Sequence, residues 1–335
     1  MLNGLRSWRV SLVALAALGL TACGGGGGTE ATGFLSASIT DAAVDEVDKV
    51  NLRVVKLQLR LQDADEDDWV EVPLEVDGEA LEFDLKEYQH GEVFPLFDEE
   101  EVPAGVYSHA RLVLQAPART PGECVGQDPL GGSHVVAGDA LVPIFIPSGA
   151  NTGVKLVSPF RVPENGLAQI VIDFDLRKSL FQPPAFKNSC YFLRPAFRVE
   201  AVQNTGRIVG TVDAPLLTGE LCSDEDPATG NAVYVYEGST DNPGDINADQ
   251  ECETAAPFAT SVVKYESLAE AGHYVVDFLP PGEYTVAFTC RADEERLPNP
   301  DAEDEHERLA VDDLEFQQPR MATVVVSSPT VVNFD

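Results

Sequence analysis

The sequence predicts an all-β protein of two β-sandwich domains, Ig-like or prealbumin-like, behind a cleaved leader and a glycine-rich tether. Three observations carry that prediction. Apolar and polar residues alternate with period two through segment after segment, the mark of half-buried strands. Turns bearing proline and glycine punctuate those segments at short intervals, as in sandwiches and barrels. No long stretch keeps clean helical periodicity, and "AAVDEV" (42–47) and "DLRKSL" (175–180) have room for a short helical turn at most.

The chain opens on a leader. Arg6 and Arg9 precede the apolar run "VSLVALAALGL", which ends in "TACGGGGG". A spanning helix needs about 20 apolar residues, so this run is too short to cross a bilayer and reads as a signal-peptide core over residues 1–22. Leu20-Thr21-Ala22-Cys23 resembles the bacterial lipobox. That resemblance implies cleavage before Cys23 and acylation of its sulfur and amine, an anchor of three chains where two suffice for stable binding. The five glycines after Cys23 cannot pack and serve as a tether reaching roughly 12 Å. Residues 23–32 thus form the lipidated linker. Gly24 is not the aspartate that commonly retains lipoproteins at the inner membrane, so the expectation is a lipid-anchored envelope protein, with the outer membrane favoured if the cell has two membranes.

The first β domain is expected over residues 33–203. In "KVNLRVVKLQLRLQ" (49–62), Val50, Leu52 and Val54 share one face, then the phase slips and Leu57, Leu59 and Leu61 take it up. A one-residue slip turns every later side chain over, so either a bulge sits at Val54–Val55 or the strand changes faces there. Further strands read at 80–85, 106–115, 140–147, 168–176 and, as one run, 190–202. A boundary falls near "QNTG" (203–206), and a second series from "RIVGTVDA" to "MATVVVSS" marks a domain over 204–335. The acidic segment 291–308 interrupts that series as a loop. Two turns match: "VPAGVY" (102–107) and "LPPGEY" (279–284) both set a proline, then glycine two residues on, then tyrosine, ahead of a strand. Proline presets such a turn, glycine relieves its exit, and the tyrosine hydroxyl is expected to anchor it as in the corner of Ig-like sandwiches.

Two resemblances follow. "LSASITDAAVDEVDKVNLRVVKLQL", "VPAGVYSHARLVL", "IPSGANTGVKLVSPFRV" and "VIDFDLRKSLFQ", in that order, resemble domain-of-unknown-function family 4382, common in bacterial lipoproteins. That family brings no activity with it. "GRIVGTVDA", "AVYVYEG" and "FLPPGEYTVAFTC" resemble a carboxypeptidase-regulatory-like or prealbumin-like sandwich. Such modules are usually non-catalytic spacers or binders, and some relatives of the fold bind starch.

Composition narrows the partners. The chain of 335 residues carries 22 basic and 56 acidic side chains, a net charge of −34. Affinity for phosphate backbones comes from basic residues, so nucleic acid is not an expected partner. The acidity attracts cations and basic proteins, and it also keeps a protein dissolved in saline surroundings. Of six cysteines, five remain after Cys23, none spaced C-x-x-C. In an oxidising compartment the expected disulfides are Cys124–Cys190 and Cys222–Cys290, with Cys252 the odd thiol.

Candidate sites are thin. Asp173 and Asp175 lie two apart on one strand, hence on one face, a pairing that suits acid–base chemistry or, more simply, a solvated face paired with Arg194 and Arg198. "DINAD" supplies Asp245, Asn247 and Asp249 as a calcium-loop opening, but Gln250 and Ala256 stand where the loop needs glycine and glutamate. Any calcium bound there is held weakly, and "DADEDD" (63–68) is no better. "GGSHV" (131–135) lacks the closing glycine of a nucleophile elbow, and the five histidines read as structural. Trp69 is the candidate sugar platform, with a strand-edge core position as its plainer role. No catalytic residue, cofactor or metal site is expected. The reading is a non-catalytic envelope lipoprotein that binds the membrane through its lipid and an envelope protein or polysaccharide through its surface. Its alternatives are a carbohydrate-binding lipoprotein and a hydrolase with an unrecognised site.

Overall fold

A computed structural model describes residues 31–335 apart from 43–46, 117–123, 125–127, 147–152, 183–185, 187–188, 195, 219–221, 223–229, 247–253 and 296–313. Residues 31–335 form one compact unit. Strand accounts for 58% of the described residues and helix for 10%. The first half contains β1 (Thr32–Ala42), β2 (Lys49–Leu61), β3 (Val70–Pro73), β4 (Glu75–Val76), β5 (Glu79–Asp84), β6 (Phe94–Pro103), β7 (Gly105–Leu114), β8 (His134–Ala137) and β9 (Ala140–Phe145). It continues with β10 (Gly153–Val162), β11 (Leu167–Asp175), α1 (Leu176–Ser179), β12 (Leu180–Phe181), β13 (Tyr191–Leu193) and β14 (Phe197–Ala201). The second half contains β15 (Gly206–Val212), α2 (Ala214–Leu217), β16 (Ala232–Glu237), β17 (Ala259–Val262), β18 (Gly272–Leu279), β19 (Gly282–Thr289), β20 (Gln317–Val324) and β21 (Pro329–Val331).

Each half is a sandwich because alternation gives each sheet one apolar face, which two sheets bury against each other. In the first, β14–β11–β1–β6 packs on a ten-stranded sheet whose main path is β10–β7–β2–β8–β9–β13–β12. Leu35, Ala37 and Ile39 of β1 and Ile170, Ile172 and Phe174 of β11 meet Leu52, Val54, Leu57 and Leu59 of β2 in one core. In the second, β18–β15–β21 packs on β17–β16–β19–β20 around Ile208, Val235, Val276, Val286, Phe288 and Phe334. The β6 edge carries Asp98–Glu101, all exposed, a charged fringe that discourages pairing with another strand.

The phase slip in β2 is real: the register with β7 shifts between Val54 and Lys56, so Leu57 and Leu59 return to the core. The matched turns behave alike. Tyr107 Oη donates to the Pro103 carbonyl at 2.7 Å, and Tyr284 Oη donates to the Pro280 carbonyl at 2.8 Å. Two readings change. The run 190–202 is broken into β13 and β14, because Pro195 between them has no amide proton for a ladder. In β16 both faces are buried, since Tyr234 and Tyr236 pack against Ile246, Ala255 and Phe316 outside the main core. The helical turn expected at 175–180 is α1; 43–46 lie outside the described residues.

The halves also share a path. β1 lies between antiparallel β6 and parallel β11, and β15 lies between antiparallel β18 and parallel β21. From β6 and β18 the chain turns through the tyrosine corners into β7 and β19, which pair with β2 and β16 on one side and β10 and β20 on the other. Short returns then bring β11 and β21 back alongside the first strand of each half. Even the tight spots coincide. A Cβ on Gly33 would collide with the Pro163 carbonyl and Val162, and one on Gly206 with the Val325 carbonyl and Val324.

A polar seam as the candidate functional site

The outer face of β11 positions the site. With Ile172 and Phe174 in the core, alternation sends Asp173 and Asp175 to the opposite side, where β17 and β18 of the second half lie. Arg198 sits across from Asp173 on β14. Its Nε donates to Asp173 Oδ2 at 2.8 Å and its Nη2 makes a second, shorter bond to the same oxygen. Asp175 Oδ1 accepts from the Lys178 amide at 3.1 Å and so caps α1.

From there the first half reaches into the second. Arg177 Nη1 donates to the Ala292 carbonyl at 2.6 Å, Lys178 Nζ to the Pro257 carbonyl at 2.6 Å, and Arg198 Nη2 to the Asp277 carbonyl at 3.2 Å. His90 Nε2 meets the Val262 carbonyl at 2.8 Å, and because a carbonyl only accepts, that nitrogen carries the proton. All four acceptors are main-chain oxygens. Arg198 also lies over the Phe258 ring at 4.6 Å, a cation–π contact across the same seam.

Between these bonds lies a cavity lined by Thr40, Asp41, His90, Asp173, Thr260 and Asp277, with Gly91 and Phe278 at its wall. Its volume of about 20 Å³ accommodates a water or a small ion and no organic substrate. Burial raises the pKa of Asp41 well above the ordinary carboxylate range, and it raises those of Asp173, against the pull of Arg198, and of Asp277. Glu200 on β14 is pushed up to about 7 by burial, and so is Glu295 beside Tyr234. Burial lowers the His90 pKa, favouring neutral imidazole. The wall is strained: His90 and Phe278 have φ of 58° and 56°, rarely adopted by bulky residues.

The residues singled out in the sequence are scattered around this seam. Asp173 is paired with Arg198, as its simpler reading had it, but in a buried joint and not on a solvated face. Arg194 instead covers the Phe181 ring. Asp245 is buried near Glu295, while Asn247 and Asp249 lie outside the described residues, as do Cys23, Cys252 and His306. Ser133 and His134 are buried: the Ser133 hydroxyl accepts from the Arg53 amide, and His134 contacts Asn51 and the Gly132 carbonyl. Trp69 is neither core nor open platform. It lies just before β3 with the Arg111 guanidinium 3.9 Å above the ring and Arg60 5.1 Å away. The disulfides are Cys124–Cys190 and Cys222–Cys290. Among the described residues no three His, Cys, Asp or Glu side chains are grouped to hold a metal, and no helix is long and apolar enough to cross a membrane. The seam itself was missed, since its partners come from distant segments and its acceptors belong to the backbone.

Comparison with known proteins identifies the first half only. A search of curated proteins returns no match. Among solved structures, a leucine-rich repeat protein from Bacteroides thetaiotaomicron is similar at 11% identity and a TM-score of 0.21, over 90% of this chain and 26% of its own. The minor pilin GBS52 of Streptococcus agalactiae is similar at 12% identity and TM-score 0.17, over 89% and 94% of the two chains. A putative cell adhesion protein from Bacteroides fragilis is similar at 12% identity and TM-score 0.18, over 89% and 90%. Residues 32–195, the stretch that supplies His90, Asp173 and Arg177 to the seam, match the family described as Domain of unknown function (DUF4382).

Proposed function

We propose that this protein is a non-catalytic, lipid-anchored module of the bacterial envelope, placed at the outer membrane, that works by contact. One observation carries the reading. The polar side chains gathered at the seam join the halves: the cationic Arg177, Lys178 and Arg198 and the neutral His90 each bond a main-chain carbonyl across it. The best-equipped polar region is therefore a joint, which leaves loops and outer sheet faces for partners, as is usual for β scaffolds. The leader and Cys23-Gly tether support attachment to the membrane, and a net charge of −34 favours a basic envelope protein as partner.

Capture from crosslinked envelopes tests this reading. The expected catch is a basic envelope protein whose recovery falls with salt, since exposed charges are screened beyond about 10 Å at 0.1 M ionic strength. Cys23→Ala is expected to abolish labelling by a clickable palmitate analogue and to release the protein from membranes; retained labelling removes the anchor from the reading. Hydrolase turnover by the purified protein, lost on changing one Asp or His, defeats the non-catalytic reading. A second reading, carbohydrate binding, rests on the half-exposed Trp69. With Arg111 on the ring, a sugar has to displace that guanidinium or use the other face. Retardation in polysaccharide gels that disappears in Trp69→Ala supports this second reading.

A further inference from the structure

The outer face of the ten-stranded sheet gathers two guanidinium groups on one indole, in a chain whose net charge is −34. Leu57 and Leu59 of β2 and Ala110 and Leu112 of β7 point into the core, so alternation turns Gln58, Arg60, His109 and Arg111 outward. Arg60 is tied down: Nη1 donates to the Glu66 carbonyl at 2.9 Å and Nη2 to His109 Nε2 at 2.9 Å. Trp69 Nε1 donates to the same Glu66 carbonyl at 3.0 Å, which sets the plane of the ring. Arg111 is different. Its guanidinium lies 3.9 Å from the ring centroid, its Nε is buried without a partner, and its two terminal nitrogens reach solvent with no protein acceptor among the described residues. The carboxylate nearest along its row, Glu71, is already taken by Lys56 Nζ at 2.7 Å and Gln58 Nε2 at 2.6 Å. The acids of Asp65–Asp68 are exposed beside the cluster, and among the described residues none pairs with Arg111.

We propose that Arg111, seated on Trp69, docks the carboxylate of a uronic acid residue in an acidic glycan. A guanidinium stacked on an aromatic ring keeps its in-plane N–H groups free, and the two terminal nitrogens match the two oxygens of a carboxylate. The part of the indole that Arg111 leaves open takes the apolar face of the sugar. An isolated surface ion pair is worth little, so this second contact is what makes the site selective. Densely charged polyanions meet the acidic surface of the whole protein, whereas a uronate carries its charge singly on a neutral ring. The inference rests on the second reading above, carbohydrate binding, and narrows it: the guanidinium that obstructs a neutral sugar is the contact that selects an acidic one.

The chain has two tryptophans, so in the full chain carrying Trp8→Phe, held in detergent, fluorescence reports on Trp69 alone. Oligogalacturonate is titrated against its methyl ester, dextran sulfate and NaCl of equal ionic strength. A saturable change with oligogalacturonate is expected, weaker by about tenfold or more with the ester, which keeps the sugar and removes the charge. Arg111→Gln is expected to weaken binding by a similar factor, and Arg111→Lys to restore little of it, because lysine lacks the planar fork. Arg320→Gln, in the second half, is expected to bind like the parent. The proposal is overturned if the ester or dextran sulfate binds as well as oligogalacturonate, or if Arg111→Gln binds like the parent. Neutral-sugar binding that is lost in Trp69→Ala and kept in Arg111→Gln overturns it while leaving the second reading in place. No response to any sugar ends both and leaves a basic envelope partner as the reading that stands.

Discussion

The two halves run the same course with different ornament. Both thread a first strand between an antiparallel and a parallel neighbour, both turn through a Pro-x-Gly-x-Tyr corner, and both wedge a glycine against a backbone carbonyl at the start of that strand. The first half adds β3–β5, β8–β9 and β12–β13 and grows one sheet to ten strands, whereas the second stays near the minimum. The shared parts are those where the backbone itself is constrained: a close approach, a turn, a buried hydroxyl. The parts that differ lie at sheet margins, where an extra hairpin costs little more than loop closure. Similar paths thus need few common residues, which is why only the corners rhyme in the sequence.

The disulfides test that comparison most severely. They close loops of similar length, with sequence separations of 66 and 68, so chain entropy alone gives each about 4 kcal/mol. Their surroundings differ. Cys124 and Cys190 sit in a small satellite cluster with Phe145 and Phe192, while Cys222 and Cys290 belong to the main core of the second half. Replacing Cys222 and Cys290 by serine is expected to cost more than the same change at Cys124 and Cys190, as read by chemical denaturation. Equal losses would mean that the entropic part dominates.

Next in size are the wedged glycines. Gly33→Ala and Gly206→Ala each force backbone to move, for about 2 to 3 kcal/mol apiece. A large cost at one and none at the other would break the equivalence of the two first strands.

The seam should respond to pH. Glu200 and Glu295 are raised from 4.5 to about 7, so the folded state holds their protons more tightly than the unfolded chain does. Their contribution is full below about pH 4.5 and is lost as pH rises through 7, for a change on the order of 2 kcal/mol. Tm is expected to fall between pH 5 and 8, and Glu200→Gln to flatten part of that slope. An unchanged slope would place the titration elsewhere. The smallest effect belongs to the corners: Tyr107→Phe and Tyr284→Phe should each cost about 1 kcal/mol, the worth of one hydrogen bond.

Local features were legible in the sequence. The phase slip at Val54–Val55, the tyrosine corners and most strands follow from spacing along a single segment. The seam was not. Asp173 and Asp175 read as a solvated pair because alternation says only that they face away from their own core. It does not say that Asp277 and Thr260 come to meet them. The acceptors for Arg177, Lys178 and Arg198 are carbonyls, and those carry no residue signature. Trp69 misled for a related reason: an aromatic beside a strand reads as core until its cross-strand neighbours prove to be arginines.

The pairing of the first and last strands bears on how the molecule responds to tension. A pull entering ahead of Thr32 runs along β1, which is bonded on both sides and paired with β11 over Phe34–Ala42. Its bonds are loaded together in shear and resist as a group. A pull leaving at Asp335 reaches β21, which is paired with β15 only over Arg207–Val209, and the Val212–Phe334 bridge beyond it. Under load the C-terminal end is the weaker link, so the second sandwich yields first and the first keeps its shape.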